Sequence, residues 1–519
     1  MDKNRRALMS KALQMAVLSM APLPLLSYEI EEPNLISDPF TLGVASGDPV
    51  QDGVILWTRL APSPLDVKAM PDKAIPISWV LCKDEACKQT VQSGKTLAYS
   101  HNAHSVHVEV KNLQPNTTYY YYFTYQTYQS AVGKTKTLPI AGTPTNAFTF
   151  AVASCQSFTD GHYAAYKDMV NQQPDVIIHT GDYIYEQDWL GGVRNIPIVE
   201  AKDLDDYRQL YATYKQDKAL QAAHACAPWL MIWDDHEVDN DWGGKFNQEN
   251  MDEETFVKRK VAAFKAYFEH MPLRFAVKPK NNKVQLHRRA VIGDLIQFDL
   301  LDCRQYRDMP ACEKYPPLFR SNKAICEEAM NSSRSMLGKG QEAWLMRGLG
   351  HYQCKWNAII QTTMLAPFDY LNGKSKAFDV DGWDNFAASR QRILDKMASI
   401  KLSNPLSFGG NIHAFYAGVV NKEALDSDSP ALLTELVCGS ISSGGGGDDR
   451  FEATNAQFSE NKFAHYFENR VRGYLLCQLN HEKMIAKMQG VHNLFDPNSE
   501  VSTLKTLVMK DGKVGFQEV

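Results

Sequence analysis

Four apolar runs in this chain each end on side chains able to bind a metal or move a proton. "FTFAVASC" (148–155) closes on Cys155, and "VIIHTGDYIYE" (176–186) carries Asp182 and Tyr185 just past its apolar start. "PWLMIWDDHE" (228–237) ends in Asp234, Asp235, His236 and Glu237, and "NPLSFGGNIH" (404–413) ends in Asn411 and His413. Carboxylates and a phenolate favour hard cations, imidazole suits iron or zinc, and a thiolate adds softness. A bridging Asp182 would hold two ions at the ~3.5–4 Å spacing of two-metal hydrolytic sites, polarising an anionic ester and lowering the pKa of a bound water toward ~7. His236, next to Asp235, is placed to hydrogen-bond or protonate a leaving oxygen. These residue types together meet the needs of phosphate ester hydrolysis.

Each residue also has a plainer reading. Asp182 and Tyr185 alone make a strand-end turn with a packed ring. Cys155 alone is a small buried apolar residue. Asp234 and Asp235 are adjacent, so their side chains diverge and one can cap the next segment; Asp235 is read as the ligand and Asp234 as its support. His162 and His179 read as core or supporting residues. Arg304 and Arg307 in "DCRQYRD" (302–308) could fork a phosphate, with surface ion pairs as the alternative; Arg304 is taken as the substrate-binding candidate. "SGGGGDD" (443–449) lacks the Lys-Ser/Thr of a P-loop and is read as a mobile loop near the mouth of the site.

What must position these residues is an α/β arrangement. From 147 onward, apolar strand-length runs alternate with helix-length segments at 161–172, 204–225 and 255–271. Such alternation argues for an α/β domain, with ligand groups gathered at strand C-termini. "LHRRAVIGDLIQFDLLD" (286–302) reads as a hairpin, so the sheet is expected to be mixed. Before the Pro/Gly/Thr-rich hinge "LPIAGTPTN" (138–146), the text is short alternating strands separated by turn residues, an antiparallel sandwich pattern. "VEVKNLQPNTTYYYYF" (108–123) is similar to the strand-turn-strand corner of fibronectin type III domains. The reading is multidomain: an all-β, fibronectin III-like sandwich over 38–140, followed by an α/β domain of mixed sheets flanked by helices over 146–519.

The 519 residues carry a formal net charge of −5, so no general basic field points to nucleic acid or anionic lipid. Residues 1–30 have a basic start, a modest apolar stretch and acidic residues after it, the layout of an export signal. "NRRALMSK" resembles the twin-arginine signal, with Asn4 and Leu8 at positions where Ser or Thr and Phe are usual. The export machinery is then a partner, and the location periplasmic or secreted. No segment reads as a transmembrane span. Ten cysteines suit an exported protein, with Cys82/Cys87 and Cys312/Cys326 as possible pairs.

Longer motifs carry a family resemblance. "FTLGVASGDPVQDGVILWTRL" (40–60), "DYRQLYATYKQDKALQAAHACAPWLMIWDDHEVDND" (206–241), "MLGKGQEAWL" (336–345), "DGWDNF" (381–386) and "SISSGG" (440–445) resemble, in order, the PhoD-like alkaline phosphatase/phosphodiesterase family, which is related to the purple acid phosphatases. The resemblance implies Fe3+ held by Tyr185, Cys155 and His413, Ca2+ held by Asp235, Asp182 bridging them, and His236 facing the substrate. It also implies direct attack of a metal-bound hydroxide on a phosphate mono- or diester, with no phosphoenzyme, in the service of phosphate scavenging. Asn411 departs from the pattern, standing where the family's G-D-x-H element has Asp. An amide oxygen ligates without charge, so the second metal stays open. Two other functions follow from the same residues: a metal-binding attachment protein with weakened turnover, or a dedicated phosphodiesterase on nucleotides or lipid headgroups.

Overall fold

Residues Arg288–Ile292 and Ile296–Leu300 pair antiparallel as the hairpin pattern predicts, with the turn made at Gly293 (φ 54°). A Cβ there would sit 1.9 Å from Thr145 Oγ1, so only glycine lets the hinge segment pass the turn. The computed structural model describes residues 35, 37–66, 68–188, 192–280, 282–311, 322–323, 326–370, 378–379, 381–458 and 460–517. The expected export signal over 1–30 and Cys312 lie outside the described residues.

The α/β expectation holds, but as two sheets rather than one. The hairpin opens a seven-stranded sheet that continues through Trp356–Ile360, Pro405–Gly409, Ala431–Val437, Phe415–Asn421 and Ala464–Glu468. Its middle strands run parallel and its edges antiparallel. Phe148–Ala153, Val176–His179 and Pro228–Met231 lie parallel at the centre of a second, nine-stranded sheet. Phe150 joins the two layers, meeting Phe298 edge-on at 5.1 Å and Phe408 at 5.4 Å between ring centroids. Rings in this geometry contribute about 0.5–1.5 kcal/mol beyond the area they bury.

The strand-rich N-terminal region is not separate from this scaffold. Val44–Val50 pairs parallel with Pro228–Met231, and Gly53–Arg59 and Ser105–Val110 extend the nine-stranded sheet beyond it. The other strands, Ile75–Cys82, Thr90–Ala98, Thr118–Tyr125, Tyr128–Gln129 and Gly133–Lys136, form their own sheet. Val44, Val54 and Leu56 pack against Leu81, Tyr121 and Phe123 across the gap, so the region is a sandwich. One of its two faces is the nine-stranded sheet itself. Leu35–Val519 accordingly forms one compact unit. Cys82 and Cys87 are free thiols, whereas Cys326 is disulfide-bonded.

Three helical segments appear where periodicity places them, one of them divided. Ala164–Asn171 and Glu253–His270 are single helices, while 204–225 becomes Leu204–Lys215 and Lys218–Cys226. The break is Asp217, whose side chain accepts from the N–H groups of Ala219 and Leu220 and so starts a new helix. Just before it, Lys215 is buried with its Nζ 3.4 Å from His224 Nε2 and 4.2 Å from the centroid of the Trp57 indole. Burial brings its pKa from 10.5 down to about 7. The folded protein must take up a proton there at pH 7 and below, whereas the unfolded lysine is protonated up to about pH 10.4. Stability should therefore rise between pH 7 and 10. Lys215→Met should flatten that slope and add up to about 5 kcal/mol at neutral pH, read from melting temperature against pH. Burial also pushes His107 down to about 4 and His179 to about 3, and His224 and His270 well below 6.5. Each of these histidines adds stability above pH 6.5 that is lost as the pH falls toward its folded value.

Candidate metal centre

The side chains expected to ligate leave their strands through a backbone bend that most residues avoid. Cys155, Asp182, Asn411 and His413 have φ of 55°, 57°, 66° and 52°. Such left-handed positions cost about 1–3 kcal/mol each and persist where surrounding contacts enforce them, commonly at functional sites. Close contact between strand ends is one such constraint. A Cβ on Gly410 would lie 2.1 Å from Ser154 Oγ, and one on Gly181 2.5 Å from the backbone nitrogen of Asp234.

These bends place ligand atoms of Cys155, Asp182 and His413 within 4.8 Å of one another, and those of Asp182, Asp235 and His236 likewise. Asp182 belongs to both groups. Its Oδ2 accepts from Cys155 Sγ at 3.3 Å and from the Tyr185 hydroxyl at 3.2 Å, while its buried Oδ1 has no hydrogen-bond partner. The Tyr185 hydroxyl also lies 2.9 Å from His413 Nε2 and 2.7 Å from Ser443 Oγ. His413 Nδ1 donates to the Gly444 carbonyl at 2.6 Å, which fixes the tautomer and turns the Nε2 lone pair toward this cluster. Asn411 is buried at the same strand end, its backbone N–H bonded to Cys155.

Electrostatics say what the cluster lacks. Burial, followed by the charge of Asp235, pushes the Asp182 carboxyl far above its ordinary range. Burial, then Asp182, does the same to the Cys155 thiol and the Tyr185 phenol. Three acids in mutual contact ionise together only when a cation supplies the opposing charge. The orphaned Oδ1 and this thiol, phenol, imidazole and carboxylate set therefore fit metal ions.

Several buried groups hold the set in place. Glu237 accepts from the N–H groups of Tyr183 at 2.7 Å, Asp234 at 2.9 Å and Asp182 at 3.2 Å, tying two strand ends with one carboxylate. Asp235 accepts from the Asp241 N–H at 2.8 Å. His236 Nδ1 donates to Glu186 Oε2 at 2.6 Å, and the ring stacks on Tyr185 with centroids 4.1 Å apart. Burial works against charge on His236, but Glu186, then Asp235 and Asp182, outweigh it and hold the imidazole pKa well above 6.5. Glu186 and Glu237 stand inside "GDYIYE" and "WDDHE", yet composition alone assigns them nothing. Their roles depend on which strands become neighbours.

Arg304 is placed differently from the expectation that it binds substrate. Its Nε and Nη2 fork Asp234 at 2.6 and 3.0 Å, and its Nη1 and Nη2 fork Asp381 at 2.9 and 2.8 Å. Nη2 also reaches Asp235 at 3.1 Å, and the side chain is 1 % exposed. No direction is left open for a phosphate; Arg304 neutralises and orients the Asp234–Asp235 pair. Arg307 is similarly occupied by the Asp241 carbonyl and by Asp381. Arg304→Met should lower stability by about 3–5 kcal/mol by stranding buried carboxylates, measured by urea unfolding. A substrate-binding arginine would instead raise KM at unchanged stability.

The glycine-rich loop is anchored rather than loose. Ser443 Oγ lies 2.7 Å from the Cys155 carbonyl, Ser442 Oγ donates to the Ser157 carbonyl at 2.6 Å, and Gly444 N–H donates to Asp160 at 2.9 Å. Arg472 ties it from beneath, donating to the carbonyls of Ser443 at 2.9 Å and His413 at 2.8 Å. From Gly447 the chain continues as the helix Gly447–Asn455. His179 is a core residue, stacked on Trp229 with its Nδ1 accepting from Gly181 N–H.

Comparison with known proteins gives consistent matches over this framework. Residues 150–488 match the model of the PhoD-like phosphatase family, and residues 27–139 match the model of the PhoD-like phosphatase N-terminal domain. The chain is 39% identical to alkaline phosphatase D of Bacillus subtilis (strain 168) over 493 residues, which span 94% of this chain and 83% of the relative. A solved structure of PhoD superposes with a TM-score of 0.89 at 39% identity, covering 94% of this chain and 93% of that one.

Proposed function

Because this chain belongs to the PhoD-like phosphatase family and is a phosphoric ester hydrolase, we propose that it is an exported, metal-dependent alkaline phosphatase/phosphodiesterase. Asp182 carries the proposal, being shared by two ligand groups with one buried oxygen unpartnered. Tyr185, Cys155 and His413 would hold Fe3+, Asp235 with Asn411 would hold Ca2+, and Asp182 would bridge them. Bound there, the pair of cations would polarise the phosphoryl oxygens and activate a water as nucleophile.

The chain's own residues do the rest. Glu186 takes His236 Nδ1, leaving Nε2 to face the leaving oxygen and hand it a proton. Tyr185 backs the ring by stacking, so the imidazole stays in one plane through turnover. Arg304 keeps Asp234 and Asp235 apart from each other's charge while Glu237 locks the strand ends. Burial of nearly every member excludes bulk water and strengthens each of these interactions. Phosphate mono- and diesters are the proposed substrates, those on nucleotides or lipid headgroups included, and the proposed location is periplasmic or secreted. No helix among the described residues is long and apolar enough to cross a membrane.

The test is a visible spectrum and metal analysis of the purified protein and of Tyr185→Phe, with turnover of 4-nitrophenyl phosphate and bis(4-nitrophenyl) phosphate. The expected result is a phenolate-to-Fe(III) band that disappears in the variant, together with hydrolysis of both esters. A colourless, metal-loaded wild type would remove iron from Tyr185. Failure to hydrolyse either ester with metals loaded would sink the mechanism. Asn411→Asp separates a working amide ligand from a decayed one: unchanged or lower kcat is expected, whereas a large gain would mark Asn411 as a lesion.

A further inference from the structure

The N-terminal strands and the helix Leu204–Lys215 enclose a second polar pocket of about 510 Å³, lined in part by Arg59, Ser63, Ser100, His104 and Arg208. Its size lies within the usual range for small-molecule sites. Arg59 ends the strand Gly53–Arg59, and its side chain is 95% buried, being 5% exposed. Nε donates to the Ala103 carbonyl at 2.8 Å, and Nη1 lies 2.8 Å from His270 Nε2. His270 Nδ1 is 2.7 Å from the Ala266 carbonyl, so that nitrogen carries the ring proton and Nε2 accepts from Arg59. Nη2 has no partner.

Such a guanidinium is unusual in having no carboxylate bonded to it. The nearest acid of the interior, Glu269, is forked by Arg208 at 2.8 and 2.7 Å. The two carboxylates of the lining are likewise engaged: Asp72 accepts from Ser100 Oγ at 2.6 Å, and Asp66 accepts from the Lys68 N–H at 2.9 Å. A buried cation with no carboxylate bonded to it is costly, and a guanidinium edge matches the oxygens of a carboxylate or phosphate. The Ser63 hydroxyl would complete the shell of a bound anion.

We propose that this pocket binds a compact oxyanion, a phosphate or a carboxylate, on Arg59, at a site separate from the metal centre. Arg59 supplies the charge and the open donors at Nη2. Arg208, already neutralised by Glu269, shapes the opposite wall, and the rim carboxylates disfavour large polyanions.

Selenate locates the site directly, through its anomalous signal in soaked crystals of the metal-loaded protein. The expected result is a peak within hydrogen-bond reach of Arg59 Nη2 that vanishes in Arg59→Gln. The wild-type soak decides alone if that variant does not fold. Parallel soaks with excess inorganic phosphate and with excess acetate name the class by whichever displaces the peak. No peak at Arg59, a peak displaced by neither anion, or one that persists in Arg59→Gln would overturn the proposal, whatever selenate does at the metal centre.

Discussion

Asp182→Asn should abolish turnover, by about 10³-fold or more, and should strip both metals at once. Among the described residues no other candidate ligand belongs to both groups, so no other single change should do this. Asparagine tolerates the left-handed backbone at this position at least as well as aspartate does, so the bend at φ 57° survives the substitution. The metal-free protein should be at least as stable as wild type, because the change removes a buried acid that Asp235 repels. Tyr185→Phe offers the contrast: it should weaken the group containing Cys155 and His413 and leave the metal at Asp235 in place. Elemental analysis of the two variants, beside their rates, checks the pattern. Equal loss of both metals from Tyr185→Phe would deny the bridge.

The second large effect lies at His236. Replacement by Asn should lower kcat by about 10²–10⁴, the range for a lost general acid. Glu186→Gln should lower it by about 10–100, as loss of an outer partner typically does. The two differ in kind as well as size. Without His236, esters with poor alkoxide leaving groups should suffer far more than 4-nitrophenyl esters, whose leaving group departs unassisted. Glu186→Gln should show the same preference, diluted, because it loosens the ring without removing it. A uniform loss across leaving groups would assign His236 to metal or phosphate binding instead.

Much of this site was legible in sequence because it follows a local rule: an apolar strand, then a polar residue at its C-terminal end. That rule singled out Cys155, Asp182, Asp235, His236 and His413, whose ligand atoms the fold gathers, and Asn411 beside them, and the helices and the 286–302 hairpin followed from periodicity. Other features depend on partners distant in the chain. Whether Arg304 meets a phosphate or Asp381 depends on a residue 77 positions away. Glu237 reads as an acid beside a histidine until Asp182 arrives from another strand, 55 positions earlier. The left-handed bend at Cys155 leaves no mark either, since cysteine is not a residue chosen for that conformation, whereas Asp182, Asn411 and His413 are of types enriched there. Alternation in 53–60 marks a strand but does not reveal which sheet it joins, and the strand Gly53–Arg59 is buried on both faces.

The parallel pairing of Val44–Val50 with Pro228–Met231, and the antiparallel pairing of Phe148–Ala153 with Gly473–Leu479 on the other side, set a timetable for making the protein. The nine-stranded sheet draws its strands from residues between 44 and 510. A ribosome adding about 5–20 residues per second therefore emits the core strands long before their last neighbours. During that interval the edge of Phe148–Ala153 is bare, and bare edges recruit other chains. The nascent enzyme must be shielded until nearly its last residues emerge, and only a finished chain can offer the metals a complete site.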